Sequence, residues 1–381
     1  AASALRMASP APADPPLRVV VAGGGVGGLT AALCLLQRGI DVTVYERTEA
    51  FKRFGGPIQF ASNALSTLQA IDPGLLDEVL EKFTFTGNRA CGIKDGLRSK
   101  GFSMMEDSPA ALWDPAKRSD WFVRFPLKEC ADLFQLPYTG VINRPDLQDI
   151  LLARCEALKP GVVVNGAEVA SYGHDEEGRV SVTLSTGEVV TADALVGADG
   201  IWSAVRAQMY GEELKKPEKA GRVRQGCVYS GYTVFAGEAV IDLPDYFDTG
   251  YKVYIGPRRY FVTSDVGNGR VQWYAFFATP PGMKRARSGW STAAGEGGAQ
   301  GASGDGMTSI QYLKSLHDGW SEEIHYVLDR TPEEAVEQRD LYDRRPEVLR
   351  SWNDGAVTLL GDAVHPMMPN LGQGGCQAIE E

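Results

Sequence analysis

The most constraining feature of the chain lies near its start. Leu17 to Val21 (LRVVV) breaks into Gly23-Gly24-Gly25-Val26-Gly27-Gly28, and Leu29 to Gln37 (LTAALCLLQ) follows. A short β-branched run without polar alternation suits a strand buried on both faces. The Ala- and Leu-rich stretch after it suits a helix. Glycines at 23, 25 and 28, set between strand and helix, permit a tight turn and close approach of backbone to a ligand. The helix N-terminus presents free N–H groups and the positive end of its dipole, which favour a pyrophosphate. Gly39 ends the helix, and Asp41 to Tyr45 (DVTVY) reads as a second strand finishing at Glu46. A carboxylate about 20 residues beyond the glycines is where dinucleotide ribose hydroxyls are held. Strand, turn, helix, strand and acid together predict a dinucleotide-binding unit, where the glycines alone would predict a turn.

Composition removes other classes of function. At 381 residues, 44% hydrophobic and 23% charged, the chain is long enough for two or three lobes with sizeable cores. A net charge of −11 without a basic stripe argues against a nucleic-acid partner. Cys34, Cys91, Cys130, Cys155, Cys227 and Cys376 are widely spaced, with no C-x-x-C pair, and read as free thiols. Four histidines without ligand spacing predict no metal site. No apolar run approaches the roughly 20 residues that span a bilayer.

Two stretches stand apart. Residues 1–16 (AASALRMASPAPADPP) cannot bury a core and are expected to be disordered; the end of an organelle transit peptide and a plain or added tail both fit. Lys284 to Gly306 opens with a basic cluster and continues rich in Gly, Ala and Ser. It reads as an inserted surface loop, with membrane contact by Lys284, Arg285 and Arg287 the alternative. Leu97 to Asp120 is weakly patterned and reads as loop.

Further segments carry chemistry. Gly55 and Gly56 before Pro57 make a constrained turn, followed by a helix from Ala64 to Ala70. Asn143-Arg144-Pro145-Asp146-Leu147 opens a helix to Leu158, with Pro145 suited to its first turn. Ala194 to Val196 is a buried strand delivering Asp199-Gly200 to its C-terminal end, where open α/β sheets bind ligands; a bare turn with Ser203 capping a helix is the alternative. Beyond Arg206 the pattern turns to strands: Val228 to Ala236, Tyr251 to Ile255, Arg259 to Ser264 and Val271 to Phe277. Asn268-Gly269 joins the last two as a hairpin. Their aromatics fill a core or line an apolar channel, and the pattern does not choose. After a short strand, Val357 to Leu360, comes Gly361-Asp362-Ala363-Val364-His365-Pro366, then Pro369-Asn370-Leu371-Gly372-Gln373-Gly374-Gly375.

These segments, in this order, resemble the three fingerprints of the FAD-dependent monooxygenases that carry one dinucleotide-binding domain. Gly56 to Gln59 with Ser62 to Leu65, Tyr260 to Phe276 and the final glycine segment are most similar to the zeaxanthin epoxidase group of that family. The resemblance runs from about Leu17 to the last residue. It implies an α/β fold: a Rossmann-like FAD-binding domain with an inserted, largely antiparallel β-sheet substrate domain. The expected boundaries are 1–16 tail, 17–90, 136–211 and 346–381 FAD-binding, 91–135 loop and substrate-side segment, and 212–345 substrate domain with the insert 284–306.

The implied FAD contacts are Gly23, Gly25, Gly28, Glu46, Arg47, Gly56, Pro57, Ile58, Arg144, Asp199, Asp362, Pro369, Gly372, Gly374 and Gly375. Of these, Asp362 would accept from a ribityl hydroxyl, and Asp199 would serve the ribose or pyrophosphate region. The implied activity is epoxidation of xanthophyll β-rings through a flavin C4a-hydroperoxide. NADPH, directly or through ferredoxin, is the implied electron donor, with a carotenoid and dioxygen as substrates. The implied place is a plastid, in the stroma or at the thylakoid surface, with peripheral membrane contact. The flavin carries the chemistry, so no side chain is assigned as catalytic, and His365 reads as structural. Family members continue beyond the third fingerprint, so the chain is expected to be a piece of a longer protein. An aromatic hydroxylase of the same fold and a non-catalytic flavin-binding module are the rival readings.

Overall fold

The computed structural model describes residues 15–51, 57–97, 121–212, 226–241, 249–283, 285, 306–344 and 350–381. Most of the leading tail, Gly55 and Gly56, the 98–120 stretch and nearly all of the insert therefore lie outside the described residues.

The first layer is a six-stranded sheet in the order Asn353–Asp354, Val357–Leu359, Ala194–Gly197, Arg18–Ala22, Asp41–Glu46, Val163–Asn165. All its pairings are parallel except the short hairpin at 353–359. Val19, Val20, Val21, Val42, Val44 and Leu195 are buried, as strands covered on both faces must be. On one side lie the helices Val26–Leu36, Ser62–Ile71, Arg144–Leu158 and Gly374–Glu380, sharing a core of Leu29, Leu33, Leu65, Leu68, Leu147 and Ile379. On the other lies the antiparallel meander Val169–His174, Val180–Leu184, Val189–Ala192.

The second layer is a seven-stranded sheet, order Glu337–Asp343, Val228–Val240, Arg270–Ala278, Arg259–Asp265, Thr249–Gly256, Ala90–Asp95, Trp121–Arg124. It is antiparallel apart from the pairing of Thr249–Gly256 with Ala90–Asp95. The stretch 91–135, expected as loop and substrate-side segment, thus supplies most of one strand of this sheet, the whole of another and the helix Leu127–Phe134. Two further helices, Ser309–Leu316 and Glu322–Leu328, were not anticipated from the pattern. Thr308 starts the first with a reciprocal cap to Gln311, the local device that stabilises a short helix start.

Alternation along the strands gives the sheet two different faces. Phe235, Tyr254, Phe261, Trp273 and Phe277 turn to the two helices and meet Leu313, Ile324 and Leu328 in a closed core. Tyr232, Val234, Tyr260, Val262, Tyr274 and Phe276 turn the other way, as the register of their strands requires. The three tyrosines on that face are only half-buried. The aromatics therefore divide: one row packs in the closed core, and the other presents partly exposed tyrosines on the opposite face.

His317 lies in the closed core, fully buried between Phe261 and Trp320. Its Nδ1 sits 2.8 Å from Leu313 O, so Nδ1 carries the proton, and Nε2 is buried without a hydrogen-bond partner. Burial holds its pKa down at about 4. Between pH 6.5 and about 4 the unfolded chain binds a proton there that the folded chain refuses. Stability is therefore expected to fall as pH drops through that window, by about 3 kcal/mol from this group. Urea unfolding of wild type and His317→Leu at pH 7 and pH 4.5 measures it. An equal acid loss in both proteins would remove His317 from the account.

Candidate functional site

Parallel pairing brings the three fingerprints to one edge of the first sheet. Ala22 pairs with Gly197, Gly197 with Leu359, and Ala22 with Tyr45. Gly23, Asp199, Gly361-Asp362 and Glu46 lie at or just beyond those strand ends.

The glycines of the first turn do different jobs. Gly23 adopts φ +103°, and a Cβ on it would lie 2.5 Å from Ala198 O. A Cβ on Gly28, in the first helical turn, would lie 2.1 Å from Gly23 O. Both serve internal packing. Gly25, at the N-cap of the helix, would meet nothing within 4 Å. Its backbone is open to a ligand. Glu46 Oε2 accepts from Gly24 N–H at 2.8 Å, and Oε1 from Thr48 N–H at 3.0 Å, so the acid also fastens the turn. Gln148, which the sequence reading missed, donates to Gly24 O at 2.8 Å from one turn beyond Arg144.

Ser203 caps the helix Ala204–Met209, accepting from Arg206 N–H at 2.9 Å, as the alternative reading expected, and Asp199 adds to that cap. Its Oδ2 accepts from Ala204 N–H (2.7 Å) and Val205 N–H (3.2 Å). Oδ1 is buried with no hydrogen-bond partner, and burial raises the carboxyl above its ordinary range. Asp362 is open to solvent yet closely surrounded by protein. Burial raises its pKa, against the pull of His365 and Arg144. Arg144, opening the helix Arg144–Leu158, is lowered by burial, with Asp362 and Glu46 opposing that shift and Arg339 adding to it. Arg339 is a cation of the second sheet that the sequence reading did not single out.

The remaining expected residues spread around these. Arg47 is exposed beside Glu46, Pro57 and Ile58 open the strand Pro57–Phe60, and Gly56 lies outside the described residues. Pro369 is exposed, Gly372 takes φ +62°, and Gly374 would meet nothing within 4 Å as alanine. Ile58 lies 3.7 Å from a Cβ built on Gly375. His365 pairs with Glu381 through Nε2, and Glu381 also accepts from Gly361 N–H at 2.6 Å. Cys376 is buried against the Pro57–Phe60 segment, taking Ala61 N–H at 3.4 Å. Among the described residues no group of His, Cys, Asp or Glu is placed to hold a metal ion, and no helix is long and apolar enough to cross a membrane.

Arg206 ties two fingerprints together. Its buried guanidinium donates to Ala363 O at 2.8 Å, beside Asp362, and to Ile201 O at 2.9 Å, with Glu212 3.5 Å away. Arg206→Met is expected to cost roughly 3 kcal/mol by leaving the Ala363 and Ile201 carbonyls without their donor and weakening the charge balance at Glu212, which keeps Arg344. An unchanged urea midpoint would refute that tie.

Open backbone at Gly25, a buried carboxylate oxygen of Asp199 without a partner and the solvent-reached carboxyl of Asp362 fit a bound dinucleotide. Residues 16–228 match the FAD binding domain family. The chain belongs to that family. The zeaxanthin epoxidase of Spinacia oleracea is 39% identical over 369 residues, covering 96% of this chain and 46% of that protein. The Solanum lycopersicum zeaxanthin epoxidase is 38% identical over 369 residues, with 96% and 47% covered. Both are named chloroplastic. The chain spans about half the length of these relatives. Klebsiella pneumoniae HpxO complexed with FAD and uric acid shares the fold, with TM-score 0.70 and 23% identity over 95% of this chain and 77% of that one. CtdE in complex with FAD and a substrate does so at TM-score 0.65 and 19% identity, with 95% and 78% covered.

Proposed function

We propose that this chain is the flavin-binding and substrate-facing part of a monooxygenase that epoxidises xanthophyll β-rings, taking zeaxanthin to antheraxanthin and violaxanthin. The reading rests on 37–39% identity to zeaxanthin epoxidases across 96% of the chain. The half-buried aromatic face of the second sheet supports it. In this reading the amides around Gly25 take the pyrophosphate, and Glu46 takes a ribose. Arg144 and Asp199 serve the polar chain, Asp362 accepts a ribityl hydroxyl, and the amides of Gly372 to Gly375 meet the ring. FAD, when bound and reduced, supplies the activation of dioxygen. The protein's own share is positioning. Tyr232, Tyr260, Phe276 and Val262 offer an apolar wall that orients a hydrocarbon ring and excludes water. With one dinucleotide fingerprint in the sequence, NADPH or reduced ferredoxin would deliver electrons by transient contact. A plastid location, with the enzyme meeting the thylakoid surface, completes the proposal.

The test supplies full-length protein with FAD, reductant and oxygen, and offers β-ring xanthophylls and phenolic acids separately. Epoxide formed from the xanthophyll is the expected result. Turnover of phenolic acids alone would replace the proposal with an aromatic hydroxylase. Reoxidation without any product would leave a flavin-binding module.

A further inference from the structure

We propose that Tyr260 is a positioning residue, holding the loop Pro369–Gly375 in place from the opposite lobe. The importance of that loop to the cofactor rests on the reading above. Tyr260 lies on the strand Arg259–Asp265, on the face turned towards the first lobe. Its ring is stacked on Phe276, with centroids 4.2 Å apart and planes 11° from parallel, and Tyr232 stands 6.3 Å away. The ring is thereby fixed before its hydroxyl acts. Burial raises the pKa of that hydroxyl, so at neutral pH it is a donor. It donates to Asn370 Oδ1 at 2.8 Å, a residue 110 positions away.

Asn370 sits in the single turn Pro369–Leu371, which buries none of its residues; Leu371 is 81% exposed. Such a turn has little packing to fix it. Its neighbours are held from the first lobe: Asn63 Nδ2 donates to Gln373 Oε1 at 3.2 Å, and Gly372 lies against Gln59. Tyr260 supplies the tie from the second lobe. Tyr274, on the same face of the next strand, adds a parallel contact, its hydroxyl 3.3 Å from Pro57 O. Burial pushes that hydroxyl up to about 12, so it too is a donor. Two tyrosines of one wall thus reach two of the segments expected to contact FAD. A substrate seated on the wall would touch the same Tyr260 ring that holds the loop.

Tyr260→Phe removes the hydroxyl and keeps the stacked ring. In cofactor-free protein, amide hydrogen exchange of 367–375 is expected to speed up in this variant, with other peptides unchanged. FAD titration of the same variant is expected to give a Kd about three- to tenfold weaker, the effect of one hydrogen bond. Asn370→Ala should reproduce both changes, and the double variant should add nothing further. Wild-type exchange across 367–375 in Tyr260→Phe would overturn the proposal, as would single effects that multiply. If wild-type protein binds no FAD, the cofactor reading fails, while the exchange measurement still decides the tie.

Discussion

Gly25→Ala is expected to unfold at the wild-type urea midpoint while binding FAD at least about a hundredfold more weakly. The backbone at Gly25 is already compatible with alanine, with φ −72°, and a Cβ there meets nothing within 4 Å. The protein alone has no objection to it. The methyl group would instead stand where the backbone must approach a pyrophosphate. Gly28→Ala, three residues on, is expected to do the reverse. Its Cβ would lie 2.1 Å from Gly23 O, a backbone atom that moves only if the strand and helix part. That change is expected to cost about 3 kcal/mol or more. Urea unfolding and FAD fluorescence titration of both variants measure the contrast. Wild-type affinity in Gly25→Ala, or a wild-type midpoint in Gly28→Ala, would contradict this division of labour.

The second large effect is expected at Asp362. Asp362→Ala should weaken FAD about ten- to hundredfold, the cost of losing a hydrogen bond to a charged acceptor, with the fold largely intact. The exposed carboxyl holds no hydrogen bond to another described residue that would be lost with it, and the cations acting on it most strongly are His365 and Arg144. Asp362→Asn keeps one acceptor oxygen and should lose less. Unchanged flavin occupancy in purified Asp362→Ala would end the assignment of a ribityl contact to this residue.

Much of this architecture was legible because its signals are local. Leu17 to Glu46 carries strand, turn, helix and strand in one uninterrupted stretch, and the observed elements Arg18–Ala22, Val26–Leu36 and Asp41–Glu46 follow it closely. The hairpin at Asn268-Gly269 was legible for the same reason: Asn268 and Gly269 both take positive φ, as their side chains allow. What stayed hidden is long-range. Alternation announces two faces in Arg259–Asp265 and Arg270–Ala278 without naming the neighbour of either. The helices Ser309–Leu316 and Glu322–Leu328, which cover one face, are short and weakly patterned. The bonds from Arg206 to Ala363 and from Tyr260 to Asn370 join residues more than a hundred positions apart. Ala90–Asp95 and Trp121–Arg124 join a sheet whose other strands come over a hundred residues later, and nothing in either segment announces its partner.

That last arrangement governs how the polypeptide is made. A ribosome releases Ala90–Asp95 long before Thr249–Gly256, its neighbour, and Ala194–Gly197 long before Val357–Leu359. Each lobe must therefore wait, with sticky edges uncovered, while most of the other is synthesised. Uncovered edges of this kind favour aggregation until their partners arrive, and neither lobe can be cut out as one continuous piece.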